Sequence, residues 1–353
     1  MFSLMNRLKT DLRNRMKNGR LNDLMTVHRL APSTLSDEEL DELQLRKLKL
    51  LLHHAKQFSP YYRDVLGQVN VENMTLKDVS TIPLLTKATL RDQGERIYSE
   101  NFSFSELIKS ETSGSTGDAF VFYRNKSWDA AHRAAIWRGI NQHGVQPWDR
   151  NLYLWGFVFD RKSKFKIRIL DFLQNRFRIF QINKDELTRN LPKLKRVKFV
   201  SGYSSVINTL VGLLETSHLG LPKLKMVKGT SEKIYPSYQK RAQRVLGLPI
   251  VSEYGAAETG IISFTCPSGT NHTVRENVIV ECFDGRAVVT NLESFSMPII
   301  RLDLGDYIKM DWVSCECGRH SQVVKDVMGR VGVSIYGREK QYPSLSLYYI
   351  FKD

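Results

Sequence analysis

Four short segments carry residues whose types suit a phosphorylated ligand. The first is Thr112–Gly117, TSGSTG, inside the run SETSGSTGDAFVFY. Its glycines let backbone approach phosphate closely, and its N–H groups and hydroxyls can donate to the oxygens. No GKS or GKT ends the run, so it is not the common P-loop. The second is GTSE, with Ser231 and Glu232, directly after LKMVK. The third, EYGAAETG, holds Tyr254, Gly255, Ala256, Glu258 and Thr259, and the fourth, MPIIRLDLGDYIKM, holds Arg301 and Asp306. A carboxylate such as Glu258 suits Mg²⁺, which takes one or two carboxylates plus phosphate oxygens. Tyr254 offers a flat face for a base, and Asp306 can accept from both hydroxyls of a ribose. Taken as an ordered set, the four segments point to a nucleoside triphosphate. Singly, each has a plainer use. A Ser/Gly run is a flexible linker, Tyr254 a core residue, Asp306 after Gly305 a turn residue, and Glu258 a cap on a helix following its loop.

A second constellation is made of thiols. Cys266, His272, Cys315 and Cys317 form a Cys₃His set suited to a tetrahedral structural zinc. The C-x-C pair is tighter than the usual C-x₂-C, so spacing leaves reduced thiols without a metal as the alternative. Cys282, mid-strand in VIVECF, is expected in the core.

These residues need elements to place them. LDELQLRKLKLLLHHAKQF, from Leu40, has helical periodicity, and PLLTKATLRDQGERIYS, from Pro83, predicts a helix capped by Thr86. From 110 to 260, apolar runs alternate with helical ones: AFVFY, then WDAAHRAAIWRGINQHG, NLYLWGF, VKFVSGY, SSVINTLVGLLETSHLG, LKMVKG, YPSYQKRAQRVLG and LPIVSEYG. That alternation predicts a parallel sheet covered by helices. Ligands of such sheets bind beyond the carboxyl ends of the strands, where GTSE and EYGAAETG fall. After 270 the pattern is all-β, with Asp284-Gly285 as a hairpin turn.

The chain has 353 residues, 42% of them hydrophobic and 25% charged, which describes a folded protein with a sizeable core. Its net charge of +15 implies an anionic partner or surface. Two segments carry much of that charge, MFSLMNRLKTDLRNRMKNGR at the start and RKSKFKIRILDFLQNRFRIF from Arg161. Both read as amphipathic helices that either lie on anionic lipid or turn an apolar stripe to the core. No nucleic-acid module accompanies the charge. Neither a membrane-spanning apolar run nor a signal-peptide pattern is present, so the expected location is cytoplasmic, with a peripheral place at the inner membrane face as an extension.

TSGSTG, YGAAETG, MPIIRLDLGD, CECGR and the Gly329-Arg330 pair occur in the order found in acyl-adenylate-forming enzymes. The chain resembles their phenylacetate–CoA ligase branch, and most of all its capsular-polysaccharide (CapK-type) members, from about residue 45 to 343. SPYYRDVL, IPLLTKATLR and SGYSSVINTL share in the likeness. The resemblance implies an α/β fold: a large N-terminal adenylate-forming domain with parallel sheets flanked by helices, and a smaller β-rich subdomain. It divides the chain into an N-terminal helical part (1–90), an adenylation core (91–265), a β-rich subdomain (266–328) and a hinge with the start of a C-terminal lid (329–353).

By the same resemblance, Thr112, Ser113, Gly114, Ser115, Thr116 and Gly117 hold the pyrophosphate part of ATP, with Thr112, Ser113 and Thr116 acting in catalysis beside Glu258 on Mg²⁺. Ser231, Glu232, Tyr254, Gly255, Ala256 and Thr259 line the nucleotide and acyl pocket, Asp306 binds the ribose, and Arg330 supports it from the hinge. The implied reaction is attack of a small carboxylic acid on ATP, giving acyl-AMP and pyrophosphate. Acyl transfer to CoA or another acceptor follows, in polysaccharide biosynthesis. Trp155 and Phe157 in WGFVFD are candidates to line the acid pocket. Three positions depart from the family pattern. Asp118-Ala119 stands where relatives carry lysine or proline, and Val331-Gly332-Val333 where they carry acidic hinge residues. The lid is nearly absent, with the lysine expected on it. A nucleotide-binding relative of little turnover, or half of an enzyme completed by a separately encoded lid, is the competing expectation.

Overall fold

A computed structural model describes residues 2–17, 35–112, 120–154, 161–179, 183–330, 335–336 and 341–342. The N-terminal helices are α1 (Phe2–Lys17), α2 (Asp37–Phe58) and α3 (Pro60–Val65). Helix α2 starts at a full capping box: Ser36 Oγ accepts from Glu39 N–H while Glu39 accepts from Ser36 N–H. After a 3₁₀ turn at Leu76–Thr81, Thr86 caps α4 (Lys87–Gln93) as expected, its hydroxyl accepting from Thr89 N–H at 3.0 Å.

Strands β1 (Ile108–Glu111) and β2 (Val121–Arg124) form an antiparallel hairpin of their own. The alternating pattern read AFVFY as the first strand of the parallel sheet; instead it pairs locally with IKSE. The main sheet has eleven strands in the order β10-β11-β12-β13-β9-β8-β7-β6-β5-β3-β4. Its parallel part comprises β3 (Asn151–Leu154), β4 (Arg176–Arg178), β5 (Phe199–Tyr203), β6 (Met226–Thr230) and β7 (Ile250–Ala256). Helices cover both faces. On one, α7 (Lys184–Leu194), α8 (Ser204–Thr216) and α9 (Pro236–Leu246) bury Leu187, Leu210, Leu214 and Ala242 against Leu152, Val200, Val227 and Ile250. On the other, α5 (Lys126–Gln142) packs Ile140 against Phe199, Met226, Val251 and Phe264.

The sheet then turns antiparallel through β8 (Gly260–Thr265), β9 (Asn271–Thr273), β10 (Val278–Phe283), β11 (Arg286–Asn291), β12 (Ile299–Ser314) and β13 (His320–Arg330). Asp284 (φ 49°) and Gly285 (φ 75°) make the expected hairpin turn of β10–β11. Leu48, Leu51, Leu52 and Ala55 of α2 fill the core over Val278, Val280, Val289, Ile300 and Leu302. Cys282 corrects the sequence reading: it is exposed. The alternation that buries Val278 and Val280 runs out before the hairpin tip. The basic stretch from Arg161 is likewise not one helix. Helix α6 (Arg161–Leu173) ends, Asn175 takes φ 48°, and RFR becomes β4, the edge strand. Two short paired strands, β14 (Ile335–Tyr336) and β15 (Gln341–Tyr342), follow β13.

Candidate active site and cysteine–histidine cluster

Two of the segments read for chemistry, EYGAAETG and MPIIRLDLGDYIKM, meet near the β7 end of the parallel sheet. Strand β7 runs into a tight hairpin with β8, so no helix follows Glu258 for it to cap. The hairpin depends on backbone contact: a Cβ on Gly255 would lie 2.3 Å from the Gly260 carbonyl oxygen, and Gly260 itself takes φ +76°. Glu258 and Thr259 at the turn are buried, and Asn291 Nδ2 donates to the Thr259 carbonyl at 3.1 Å. The Glu258 carboxylate lies 3.5 Å from Lys87 Nζ, at the start of α4. Lys87 was visible within LLTKATLR but not read as a site residue, because the two positions are brought together only by the tertiary fold.

That meeting is arranged by Arg301. Buried in β12 with φ +51°, it holds Glu281 through two hydrogen bonds of 3.0 Å. Its remaining guanidinium nitrogen donates to the carbonyls of Ser80, at 2.8 Å, and Ile82. Leu85 then exchanges backbone bonds with β12, donating to Arg301 O and accepting from Asp303 N, both at 2.9 Å. The segment before Lys87 is thereby sewn to the sheet.

Tyr254 and Asp306 also meet. The phenol donates to Asp306 Oδ2 at 3.0 Å, fixing a carboxylate that is largely buried. Asp306 lies where β11–β12 pairing slips, between Val288↔Asp303 and Arg286↔Tyr307, a bulge that re-aims the side chain. Opposite it across β12–β13 stands Arg330. Ser231 (φ 64°) and Glu232 lie beyond β6. Glu232 Oε2 accepts from Ser205 N–H at 2.8 Å, so its carboxylate caps α8. Thr112 closes the base of the β1–β2 loop: its N–H donates to Phe120 O at 2.9 Å, and its hydroxyl accepts from Phe120 N–H at 3.1 Å. Ser113, Gly114, Ser115, Thr116, Gly117 and Asp118-Ala119 lie outside the described residues, as do Trp155, Phe157 and Val331-Gly332-Val333.

Behind the Glu258 turn lies His132 of α5, its side chain partly buried. Burial, with Arg124 and Arg133 nearby, pushes its pKa down to about 3. His132, Trp128, Thr259 and Asn277, each with a buried polar atom that has no partner among the described residues, line a small shared cavity.

The thiols and imidazole of Cys266, His272, Cys315 and Cys317 place their ligand atoms within 4.8 Å of one another. The supports are two turns of the same design. In each, a cysteine N–H bonds to the carbonyl four residues on, and a glycine (Gly269, Gly318) donates back to the cysteine carbonyl. Cys266 Sγ to Cys315 Sγ is 3.8 Å, and Cys317 Sγ to His272 Nε2 is 3.3 Å. Zn–S bonds of about 2.3 Å in a tetrahedron require sulfurs about 3.8 Å apart, so the set fits zinc. His272 Nδ1 contacts Ser321 Oγ at 2.6 Å, which orients Nε2 toward the thiols. Burial alone would raise the Cys315 thiol; the Cys317 N–H and the Thr270 hydroxyl bring it down to about 7.

No family model matches the chain. It is 20% identical over 318 residues to Protein CapK of Staphylococcus aureus, spanning 86% of this chain and 70% of that protein. Among solved structures, 2-hydroxyisobutyryl-CoA ligase in an open conformation with 2-HIB-AMP and CoA aligns at TM-score 0.68 and 20% identity, over 88% of this chain and 80% of that one. The same ligase in its postadenylation state with R3-HIB-AMP aligns at 0.70 and 19%, over 89% and 73%. The chain has the fold of these CoA ligases and resembles CapK over most of its length.

Proposed function

We propose that this chain uses ATP to convert a small carboxylic acid to acyl-AMP, releasing pyrophosphate, and then passes the acyl group to CoA or another acceptor. The observation that carries the reading is the convergence of Tyr254 hydrogen-bonded to Asp306 with a buried Glu258 beside Lys87. Asp306, held by the tyrosine, would accept from the ribose hydroxyls, and the Tyr254 ring would flank the base. Glu258 would hold Mg²⁺, which supplies positive charge to the phosphate oxygens. The Ser113–Gly117 loop, closed at its base by Thr112, would donate to the pyrophosphate. Lys87 adds a cation at the point where a carboxylate and a polyphosphate must approach each other. Fixing both anions in line supplies much of the remaining rate. Zinc on Cys266, His272, Cys315 and Cys317 would be structural, joining the β8–β9 and β12–β13 turns. A place in capsular polysaccharide biosynthesis is supported by the likeness to CapK.

The test is ATP–pyrophosphate exchange over a panel of carboxylic acids. Acid-dependent exchange is expected, abolished by Glu258→Ala and slowed about 10²-fold by Lys87→Met. Bound ATP without exchange for any acid would overturn the assignment.

A further inference from the structure

Helix α1 is inside out. In a helix on a soluble core, the apolar stripe faces inward and the polar face outward. Here, among the described side chains, the buried residues are Thr10 and Asn14, while Leu4, Leu8 and Leu12, spaced i, i+4, i+8, form an exposed ridge joined by Met5. The orientation is fixed by polar contacts. Thr10 Oγ1 donates to the Leu173 carbonyl at 3.5 Å, and Trp148 Nε1 donates to Ser3 Oγ at 3.3 Å. Arg13 is pulled inward, burial and the charges of Arg133 and Arg176 lowering its pKa to about 10.

The ridge continues onto the neighbouring helix. Ile169 and Phe172 of α6 are exposed, and Lys9 Nζ of α1 sits 4.1 Å over the Phe172 ring. These six apolar side chains are 44% to 62% exposed. In sequence, α1 carries five basic residues and one acid, and α6 the same numbers; of these, Arg7 and Arg15 of α1 and Arg168 of α6 are exposed. The acid of α6, Asp171, is already held by Arg178 through bonds of 2.7 and 3.0 Å. An apolar ridge on two helices that together carry ten basic residues and two acids matches the boundary of an anionic bilayer, where alkyl groups enter the acyl region and cations meet headgroup phosphates. A second copy of this chain fits worse, since an isologous contact would set one basic helix pair against another.

From this we infer that the α1–α6 face docks on an anionic lipid surface through Leu4, Leu8, Leu12 and Phe172. The inference is independent of the adenylation chemistry. It is tested by cosedimentation with phosphatidylglycerol-containing vesicles and with phosphatidylcholine vesicles, alongside light scattering of the protein alone. Wild-type protein binds the anionic vesicles and leaves the neutral ones in solution. The variant Leu4→Gln/Leu8→Gln/Leu12→Gln loses binding by at least about tenfold. So does Arg15→Glu/Arg168→Glu, which keeps the ridge and removes charge. All the substituted side chains but Leu4, Leu8 and Leu12 leave the ridge intact, so the two variants separate its apolar and ionic parts. Unchanged circular dichroism melting shows that each variant folds. Absence of wild-type binding overturns the inference, as does binding that neither variant weakens. A wild-type dimer that the leucine variant converts to monomer would also overturn it, by showing that a second copy covers the ridge.

Discussion

Replacing Arg301 by methionine should damage a site that Arg301 does not touch. The side chain is 3% exposed and its partner Glu281 19%. Removing one member of a buried, hydrogen-bonded pair costs about 3–5 kcal/mol, because the other charge is left uncompensated. The carbonyls of Ser80 and Ile82 lose donors as well, at about 1–3 kcal/mol for each one that water cannot reach. Methionine recovers part of this by burying its own stem, leaving a net loss of about 4 kcal/mol. An unfolding entropy of about 2.1 cal/mol/K per residue converts that to roughly 5 °C in Tm for a chain of this length. Adding Glu281→Leu should restore about 2 kcal/mol by removing the stranded carboxylate. The functional effect is a loosening of the segment that sets Lys87 beside Glu258. Acid-dependent pyrophosphate exchange should therefore fall about tenfold at a temperature where the variant is still folded, with the double variant stable but still slow. Calorimetry and exchange assays read the two effects separately. A single variant melting within about 1 °C of wild type would refute the reasoning.

Two further outcomes follow from buried titrating groups and from the thiols. His132 is neutral in the folded chain because its pKa is about 3, whereas the unfolded chain takes a proton near 6.5. The unfolded state binds more protons below that value, so stability falls as pH drops. Lowering pH from about 7 to 5 should cost about 2 kcal/mol through this residue, and His132→Asn should flatten the slope by one proton in urea titrations. Unaltered slope in that variant would be contrary. For the cysteine cluster, metal analysis should give one zinc per chain, and Cys317→Ser or a strong chelator should remove it and lower Tm. Protein purified without zinc, and unmoved in its melting when zinc is added, would contradict the fit.

The sequence made the parallel half legible because its strands and helices alternate with the periods that burial on both faces imposes. VKFVSGY, LKMVKG and LPIVSEYG became β5, β6 and β7 near their expected bounds. Short edge elements escaped for a physical reason. RFR offers three residues of alternation inside a basic helical pattern, and only pairing with β3 makes it a strand. AFVFY shows the limit of reading a strand without its partner: the alternation was right, yet the neighbour was IKSE rather than the large sheet. Cys282 shows the same limit in depth, since period two tells the face but not where the core stops.

The site was legible as a set of residue types and illegible as a set of contacts. Glu258 and Asp306 could be singled out because carboxylates in these ordered segments suit Mg²⁺ and the hydroxyls of a ribose. The partners themselves, Lys87 for one and Tyr254 for the other, are 171 and 52 positions away in the chain. What sets Lys87 beside Glu258 is the pairing of segment 82–85 with β12, and that pairing is held by Arg301. Its guanidinium is consumed by Glu281 and two backbone carbonyls, so it acts on the site through the position of Lys87. The same logic applies at the other end of the molecule. The sequence of α1 left open whether its apolar stripe faced the core or a lipid surface, and burial of Thr10 and Asn14 turns Leu4, Leu8 and Leu12 outward. Composition therefore located the charges, while only the fold told which of them are spent on structure and which are left facing a ligand or a surface.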